Sequence, residues 1–147
     1  QEFLTIWLAQ ELGVPYGGYS CFFDLSFDLF KHKNSFRFFV HHGYTCSRTS
    51  SAKFRRLIET MKFIDADIII LGHSHDNIKH TRISLGANAP CTELVERIQH
   101  GAVSGGYLRT YVEGVTTYGE QKLYPPAPLG SAIFKIHPFT REIDVCF

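Results

Sequence analysis

The segment ADIIILGHSHD, residues 66–76, decides how the chain folds. Its four consecutive apolar residues, Ile68–Leu71, are typical of a strand that is buried on both faces. Gly72 ends the run and gives the backbone the freedom to turn sharply, so that His73 and His75 leave the strand end together. We therefore predict a central strand whose carboxyl end presents two imidazoles to one cavity. The alternative is a chance pair of solvent-exposed histidines on a turn.

A second strand end with the same character lies upstream. Residues 36–40 are mostly Phe and Val, and they run directly into His41, His42 and Gly43. Adjacent side chains of a strand alternate between its two faces, so one of these histidines can point into the cavity while the other faces away. The segment therefore repeats the pattern of a strand that delivers histidine next to glycine.

The residues between these two strands predict one amphipathic helix. From Ala52 onward the apolar residues are spaced three and four apart, at 54, 57, 58, 61 and 64. Ser50 or Ser51 is the expected N-cap. The order strand, helix, strand indicates a βαβ-like unit, in which both histidine loops emerge at the carboxyl edge of one sheet.

The rest of the chain predicts one helix followed mostly by strands. A helical spacing begins at Phe3 and ends at Gly13, with Pro15 just beyond. The strands are expected at 19–30, which pairs with 36–40 as a hairpin, at 80–85, 93–103 and 108–112, and in a terminal hairpin of 131–136 with 142–147. The fold class is therefore α/β.

Composition excludes several classes of function. The chain has 147 residues, 44% hydrophobic and 20% charged, with a formal net charge of +1, which is typical of a globular domain and too weak a field to attract nucleic acid or anionic lipid. The basic residues Lys31, Lys33, Arg55 and Arg56 are dispersed, so nucleic acid is expected only as a substrate. No apolar run is long enough to span a bilayer, so no membrane partner is expected.

The cysteines favour a reducing compartment. Cys21, Cys46, Cys91 and Cys146 form no Cys-x-x-Cys pair, so we interpret them as free thiols and expect a cytoplasmic protein. Two disulfides remain arithmetically possible.

The two histidine segments, 38–43 and 66–76, resemble the last two metal motifs of the calcineurin-like metallophosphoesterases. Segments 104–111 and 128–130 resemble parts of phage and bacterial members. The resemblance implies a β-sandwich of two mixed sheets flanked by helices. It also implies hydrolysis of phosphomonoesters or phosphodiesters by a hydroxide that bridges two divalent metal ions such as Mn, Zn or Fe.

The resemblance also implies roles for particular residues. His42 would be the metal ligand of the first motif, with His41 as the alternative. His73 would share a metal with His42, and His75 would bind the other metal. Arg48 would meet a substrate phosphate, with an ordinary surface arginine as the alternative.

Asp76 would orient one of the metal ligands without binding the metal itself, or else be a solvated carboxylate on the loop. The family motifs Asp-x-His, Gly-Asp and Gly-Asn-His, which carry the bridging carboxylate and the catalytic histidine, do not occur in the 147 residues. We therefore assign no catalytic residue. The chain also begins at Gln1 inside a helical pattern.

We accordingly expect 1–147 to be the C-terminal part of a single metallophosphoesterase domain, inactive alone and prone to self-association through an exposed sheet face and edge. The competing interpretation is a non-catalytic metal-binding or scaffold module derived from the same fold.

Overall fold

A computed structural model describes residues 2–29, 32–43 and 49–147. It contains a five-stranded mixed sheet of order β1-β2-β3-β5-β4 and a two-stranded sheet of β6 and β7. The helices are α1 (Glu2–Glu11), α2 (Ser50–Phe63) and α3 (Tyr118–Gln121). The strands are β1 (Ser20–Leu29), β2 (His32–His41), β3 (Ile68–Leu71), β4 (Ile78–Ala87), β5 (Leu94–Val103), β6 (Ile133–Ile136) and β7 (Ile143–Cys146). The predicted α/β class is confirmed.

The central βαβ unit is also confirmed. Strand β2 pairs in parallel with β3, with His41 opposite Leu71, and β3 pairs in parallel with β5, with Leu71 opposite Val103. Ile68 and Ile69 are fully buried, as their apolar run predicts. Because β2, β3 and β5 run in the same direction, the loops after β2 and β3 leave the sheet at one edge.

One face of the five-stranded sheet packs against α2. Leu57 and Met61 of the helix are fully buried against Phe39, Ile69 and Val103 of the sheet. Helix α2 crosses above β4 and β5, and it therefore lies nearer to that side of the sheet than to β1.

The opposite face packs against the terminal hairpin of β6 and β7. Phe36, Phe38 and Ile68 form this second core, against which Phe134 and Ile136 of β6 pack. The alternation of side chains along β2 and β3 explains the arrangement, since even-numbered residues face the hairpin and odd-numbered ones face α2. The result is three layers: helix, five-stranded sheet and two-stranded sheet.

Two local predictions are wrong. The N-cap of α2 is Thr49, and Ser50 already belongs to the helix. Its hydroxyl donates to Asp76 Oδ2 at 2.7 Å, so a tertiary contact takes the group that was expected to cap the helix. The second error is the strand at 108–112, where the backbone makes only an isolated bridge between Val112 and Val115, because no neighbouring strand lies alongside it in the described part of the chain.

None of the helices among the described residues is both long and apolar enough to cross a membrane. Cys21, Cys91 and Cys146 are free thiols, whereas Cys46 lies outside the described residues.

Gly101 of β5 tests the packing of α2 on the sheet. A Cβ atom at Gly101 would lie 2.6 Å from Met61 Sδ and 3.0 Å from Leu57 Cδ1, both in fully buried side chains. We therefore expect Gly101→Ala to lower the free energy of unfolding by about 1–3 kcal/mol through overpacking. The measurement is equilibrium denaturation with urea.

The matched control is Gly86→Ala on the neighbouring strand β4. A Cβ there would meet nothing closer than Val95 O at 3.9 Å. We expect this variant to be neutral or stabilised by up to about 1 kcal/mol. Equal losses in the two variants would contradict the close approach of α2 to β5.

Candidate functional site

The loops after β2 and β3 touch through their glycine backbones. The amide of Gly72 donates to His41 O at 3.0 Å, and a Cβ at Gly72 would lie 2.9 Å from His42 O. Gly43 has φ +82°, and a Cβ on it would overlap Gly72 O. Glycine is therefore required at both positions for the two backbones to approach this closely.

This contact brings His42 and His73 together. His42 Nε2 lies 3.0 Å from His73 Nδ1, and the ring centroids are 4.8 Å apart. His73 and His75 both have left-handed backbones, with φ of 61° and 49°. This conformation costs a non-glycine residue about 1 kcal/mol or more, and such backbones cluster at functional sites.

Tyr19 clamps the loop that carries His42. Its hydroxyl donates to Gly43 O at 2.6 Å, and its carbonyl accepts from the amide of His42 at 2.8 Å. Its ring lies 5.1 Å from the ring of His41 and 5.0 Å from that of His42, measured between centroids. Tyr19 thus fixes both the backbone and the ring position of the histidine pair.

His41 is directed away from His73. Its Nδ1 accepts a hydrogen bond from the amide of Gly43 at 2.7 Å, and its ring contacts Phe39 on the face of the sheet that carries α2. Burial lowers the pKa of His41, and the charges of His42 and Arg56 lower it further. The strand alternation expected from the sequence is therefore present, with His42 as the member beside His73.

His75 extends the cluster on the other side of His73. The centroids of the two rings are 6.3 Å apart, at an interplanar angle of 84°. The ring of His75 lies directly on the backbone of Gly106, where a Cβ would come within 2.8 Å of His75 Nδ1. The absence of a side chain at Gly106 thus leaves room for this ring.

Asp76 anchors the second histidine loop to the start of α2. Its Oδ2 accepts from Ser50 Oγ at 2.7 Å and from Lys53 Nζ at 3.3 Å, and the two charged side chains are only 17% and 14% exposed. Its Oδ1 accepts from the amide of Asn77. A solvated loop carboxylate is therefore the wrong description, and Asp76 instead holds the loop in place.

The donor chemistry of the pair fits a divalent cation in part. Two imidazole nitrogens on one tetrahedral zinc, each about 2.0–2.1 Å from it, are about 3.3 Å apart, close to the separation of His42 and His73. Burial lowers the pKa of His73, and the charges of His42 and His75 lower it further, which favours the neutral form that binds metal. However, no group of three or more His, Cys, Asp or Glu side chains in the described ranges is arranged to hold an ion.

His42 and His73 therefore offer two ligands to one cation. In the hydrogen-bonded pair one imidazole must donate its proton to the other, and a cation would replace that shared proton. The assignments of His41, His42, His73 and His75 as metal ligands stay predictions, as does the second-metal role of His75. The proposed phosphate contact, Arg48, lies outside the described residues.

The sequence interpretation missed Tyr19, Ser50 and Lys53. Tyr19 carries no motif, and its role follows from the β1–β2 hairpin, in which Ser20 pairs with His41. That register was available in outline from the predicted hairpin. The contacts of Ser50 and Lys53 with Asp76 join residues 23 to 26 positions apart, and no local pattern encodes them.

No protein-family model, curated protein or solved structure matches this chain.

Gly43 tests the contact on which the histidine pair depends. We expect Gly43→Ala to lower the free energy of unfolding by more than about 2 kcal/mol, because the new Cβ adds a clash with the Gly72 carbonyl to the cost of a left-handed alanine. The same variant should separate His42 from His73, which the chemical shifts of their ring protons would record by NMR.

Gly114→Ala is the matched control. Gly114 has a similar φ of +73°, but a Cβ there would meet nothing within 4 Å. The free energy of unfolding of this variant should fall only by the cost of the left-handed backbone, about 1–2 kcal/mol. If the two variants lose the same stability and the ring shifts do not move in Gly43→Ala, the close glycine contact is wrong.

Proposed function

We propose that this chain supplies histidine ligands to the metal centre of a calcineurin-like phosphoesterase, which hydrolyses phosphomonoesters or phosphodiesters. The observation that carries the proposal is the His42–His73 pair, with its ring nitrogens 3.0 Å apart at the carboxyl edge of parallel strands. Ligands of open α/β sheets bind at this edge.

In this proposal His42 and His73 hold one divalent cation, and His75 contributes to a second. Mn, Zn and Fe are all compatible with imidazole ligands. When bound, such cations polarise the phosphoryl oxygens and lower the pKa of water. The layering of the β6–β7 hairpin on the five-stranded sheet is compatible with the family's sandwich, which we propose as the finer description of the fold.

The other residues of the site position these ligands. Tyr19 fixes the loop of His42 through two hydrogen bonds, and Asp76 fixes the loop of His75 against Ser50 and Lys53. Ligands that are held before binding lose less conformational entropy when the cation arrives. Arg48 remains the proposed contact to the substrate phosphate.

The proposal requires carboxylates that the family's missing motifs would carry. Asp-x-His, Gly-Asp and Gly-Asn-His do not occur in the 147 residues, so the carboxylate ligands would have to come from other polypeptide. We therefore propose that the 147 residues alone bind metal weakly and do not hydrolyse esters.

A non-catalytic metal-binding or scaffold module is the second candidate. It needs only the pair of imidazoles, His42 and His73, whose ring nitrogens lie 3.0 Å apart. The two candidates differ in whether the histidines are needed for hydrolysis.

Metal titration tests the ligand assignment on this chain. With Co²⁺ or Zn²⁺ followed by calorimetry, we expect at most one weak site. His42→Ala and His73→Ala should each weaken it by at least about tenfold, since even loss of a group that only orients a ligand costs 10- to 100-fold.

His137→Ala is the control, because His137 lies in the terminal hairpin beside Asp144 and away from the pair. Two tight sites, or equal losses in all three variants, would count against the assignment.

A hydrolysis assay tests the proposed function, and it uses the whole protein that the reading frame encodes. His73→Ala and His75→Ala should each abolish the hydrolysis of an aryl phosphate ester, whereas His137→Ala should retain it. Unchanged turnover in the first two variants would reject the enzymatic proposal, and metal binding without any hydrolysis in the unaltered protein would favour the scaffold.

A further inference from the structure

Strand β1 forms one edge of the five-stranded sheet, and no strand among the described residues pairs with its outer side. Its ten residues pair with β2 in one continuous register, so no bulge interrupts the strand. A long, regular edge of this kind is a template for pairing with a further strand.

The register shows which backbone groups of β1 point outward. Tyr19 directly precedes β1, and its carbonyl accepts from the amide of His42, so the backbone groups of Tyr19 face the chain of β2. Successive residues of a strand direct these groups to opposite sides. The outer edge of β1 therefore presents the N–H and C=O groups of its even-numbered residues, which are Ser20, Phe22, Asp24, Ser26 and Asp28.

The side chains that usually protect a free edge do not occur in β1. The strand contains no Lys, Arg or Pro. Its two carboxylates are drawn toward β2, since Asp24 lies 2.9 Å from Arg37 Nε and Asp28 lies 3.4 Å from Lys33 Nζ. The other edge strand, β4, carries two basic side chains. The outer edge of β1 is therefore the less protected of the two.

The odd-numbered residues of β1 add an apolar row to this edge. They lie on the face of the sheet that carries the β6–β7 hairpin, because Phe23 pairs with Phe38 of the core beneath that hairpin. The rings of Phe23 and Phe38 stack with centroids 4.6 Å apart, yet Phe23 stays 46% exposed and Leu25 stays 39% exposed. A strand added beside β1 would cover both side chains.

We propose that two copies of this chain form a dimer by antiparallel pairing of their β1 strands, with the two-fold axis at Leu25. The two five-stranded sheets then become one continuous sheet. The dimer is closed, because the pairing uses the same edge of both copies. The proposal assigns an edge and a register to the self-association that the sequence predicts.

The backbone and the side chains both favour the register centred on Leu25. Opposite residues must both turn their backbone groups outward or both turn them inward, so even-numbered residues pair with even-numbered ones. With Leu25 opposite Leu25, Phe23 lies opposite the partner's Phe27, and Asp24 lies opposite the partner's Ser26. Residues 21–29 of both copies then pair, and the apolar row of each strand continues across the axis.

The neighbouring registers bring like charges together. Centring the pair on Asp24 places the two Asp24 carboxylates directly opposite each other, and centring it on Ser26 places Asp24 opposite the partner's Asp28. Like charges directly opposite each other destabilise a sheet. A centre farther along the strand pairs fewer residues, so Leu25 is the best centre.

Analytical ultracentrifugation in EDTA tests the dimer, because EDTA removes metal ions that could join two copies through histidines. We expect the mass of two chains, and Ser26→Pro should halve it, since proline removes an N–H that only the partner uses and is tolerated at the outer side of an edge strand. Circular dichroism checks that the variant keeps its fold.

Ser26→Ala is the matched control. It keeps the N–H and, like the proline variant, loses the contact of Ser26 Oγ with Ser35 Oγ, so it should stay dimeric. A monomeric unaltered chain, or equal masses of the two variants, would overturn pairing through this edge.

Oxidative cross-linking tests the register and does not depend on the proline variant. Across the axis the two Leu25 Cα atoms form a non-hydrogen-bonded pair about 4.5 Å apart, which suits a disulfide. Leu25→Cys should therefore give a linked dimer on a non-reducing gel, well above the background of the unaltered chain with its native cysteines.

Phe23→Cys is the control for register. Its two copies would lie four residues apart along the strands, about 13 Å, so they should not link above background. Equal linking of the two cysteine variants, or no linking of Leu25→Cys above background, would overturn the register centred on Leu25.

Discussion

The close approach of the Gly43 and Gly72 backbones is the constraint on which the candidate site depends. Because β2 pairs in parallel with β3, both strands end at the same level, with His41 opposite Leu71. The residues that follow the two strands therefore meet. Side chains at either glycine would force the loops apart. The 3.0 Å separation of His42 and His73 is a consequence of this backbone contact, since each histidine is the direct neighbour of one of the two glycines.

The contact between Gly43 and Gly72 is stabilised by side chains that pack on both faces of β3. Strand β3 has four residues, too few to be stable on their own hydrogen bonds, yet Ile68 and Ile69 are fully buried, one against the hairpin core and the other against α2. Burial of each such side chain contributes about 1.5–3 kcal/mol. This is enough to hold the left-handed backbone of His73, whose cost is about 1–2 kcal/mol.

The sequence predicted the βαβ unit because its signals are local. Four apolar residues before Gly72 and the three-and-four spacing of α2 each identify one element without knowledge of the others. The segment 108–112 was also predicted as a strand, but strand formation needs a neighbour, and in the described residues the backbone there forms only an isolated bridge, between Val112 and Val115. Ser50 was misassigned for the same reason, since Asp76 lies 26 residues away.

The different orientations of His41 and His42 follow from the period of a strand. Because successive side chains alternate, one imidazole faces His73 and the other lies on the face of the sheet that carries α2, and a slip of one residue in β2 would exchange them. Tyr19 prevents that slip, since its carbonyl accepts from the His42 amide and its hydroxyl donates to Gly43 O. A residue without any motif thus determines which of the two histidines lies beside His73.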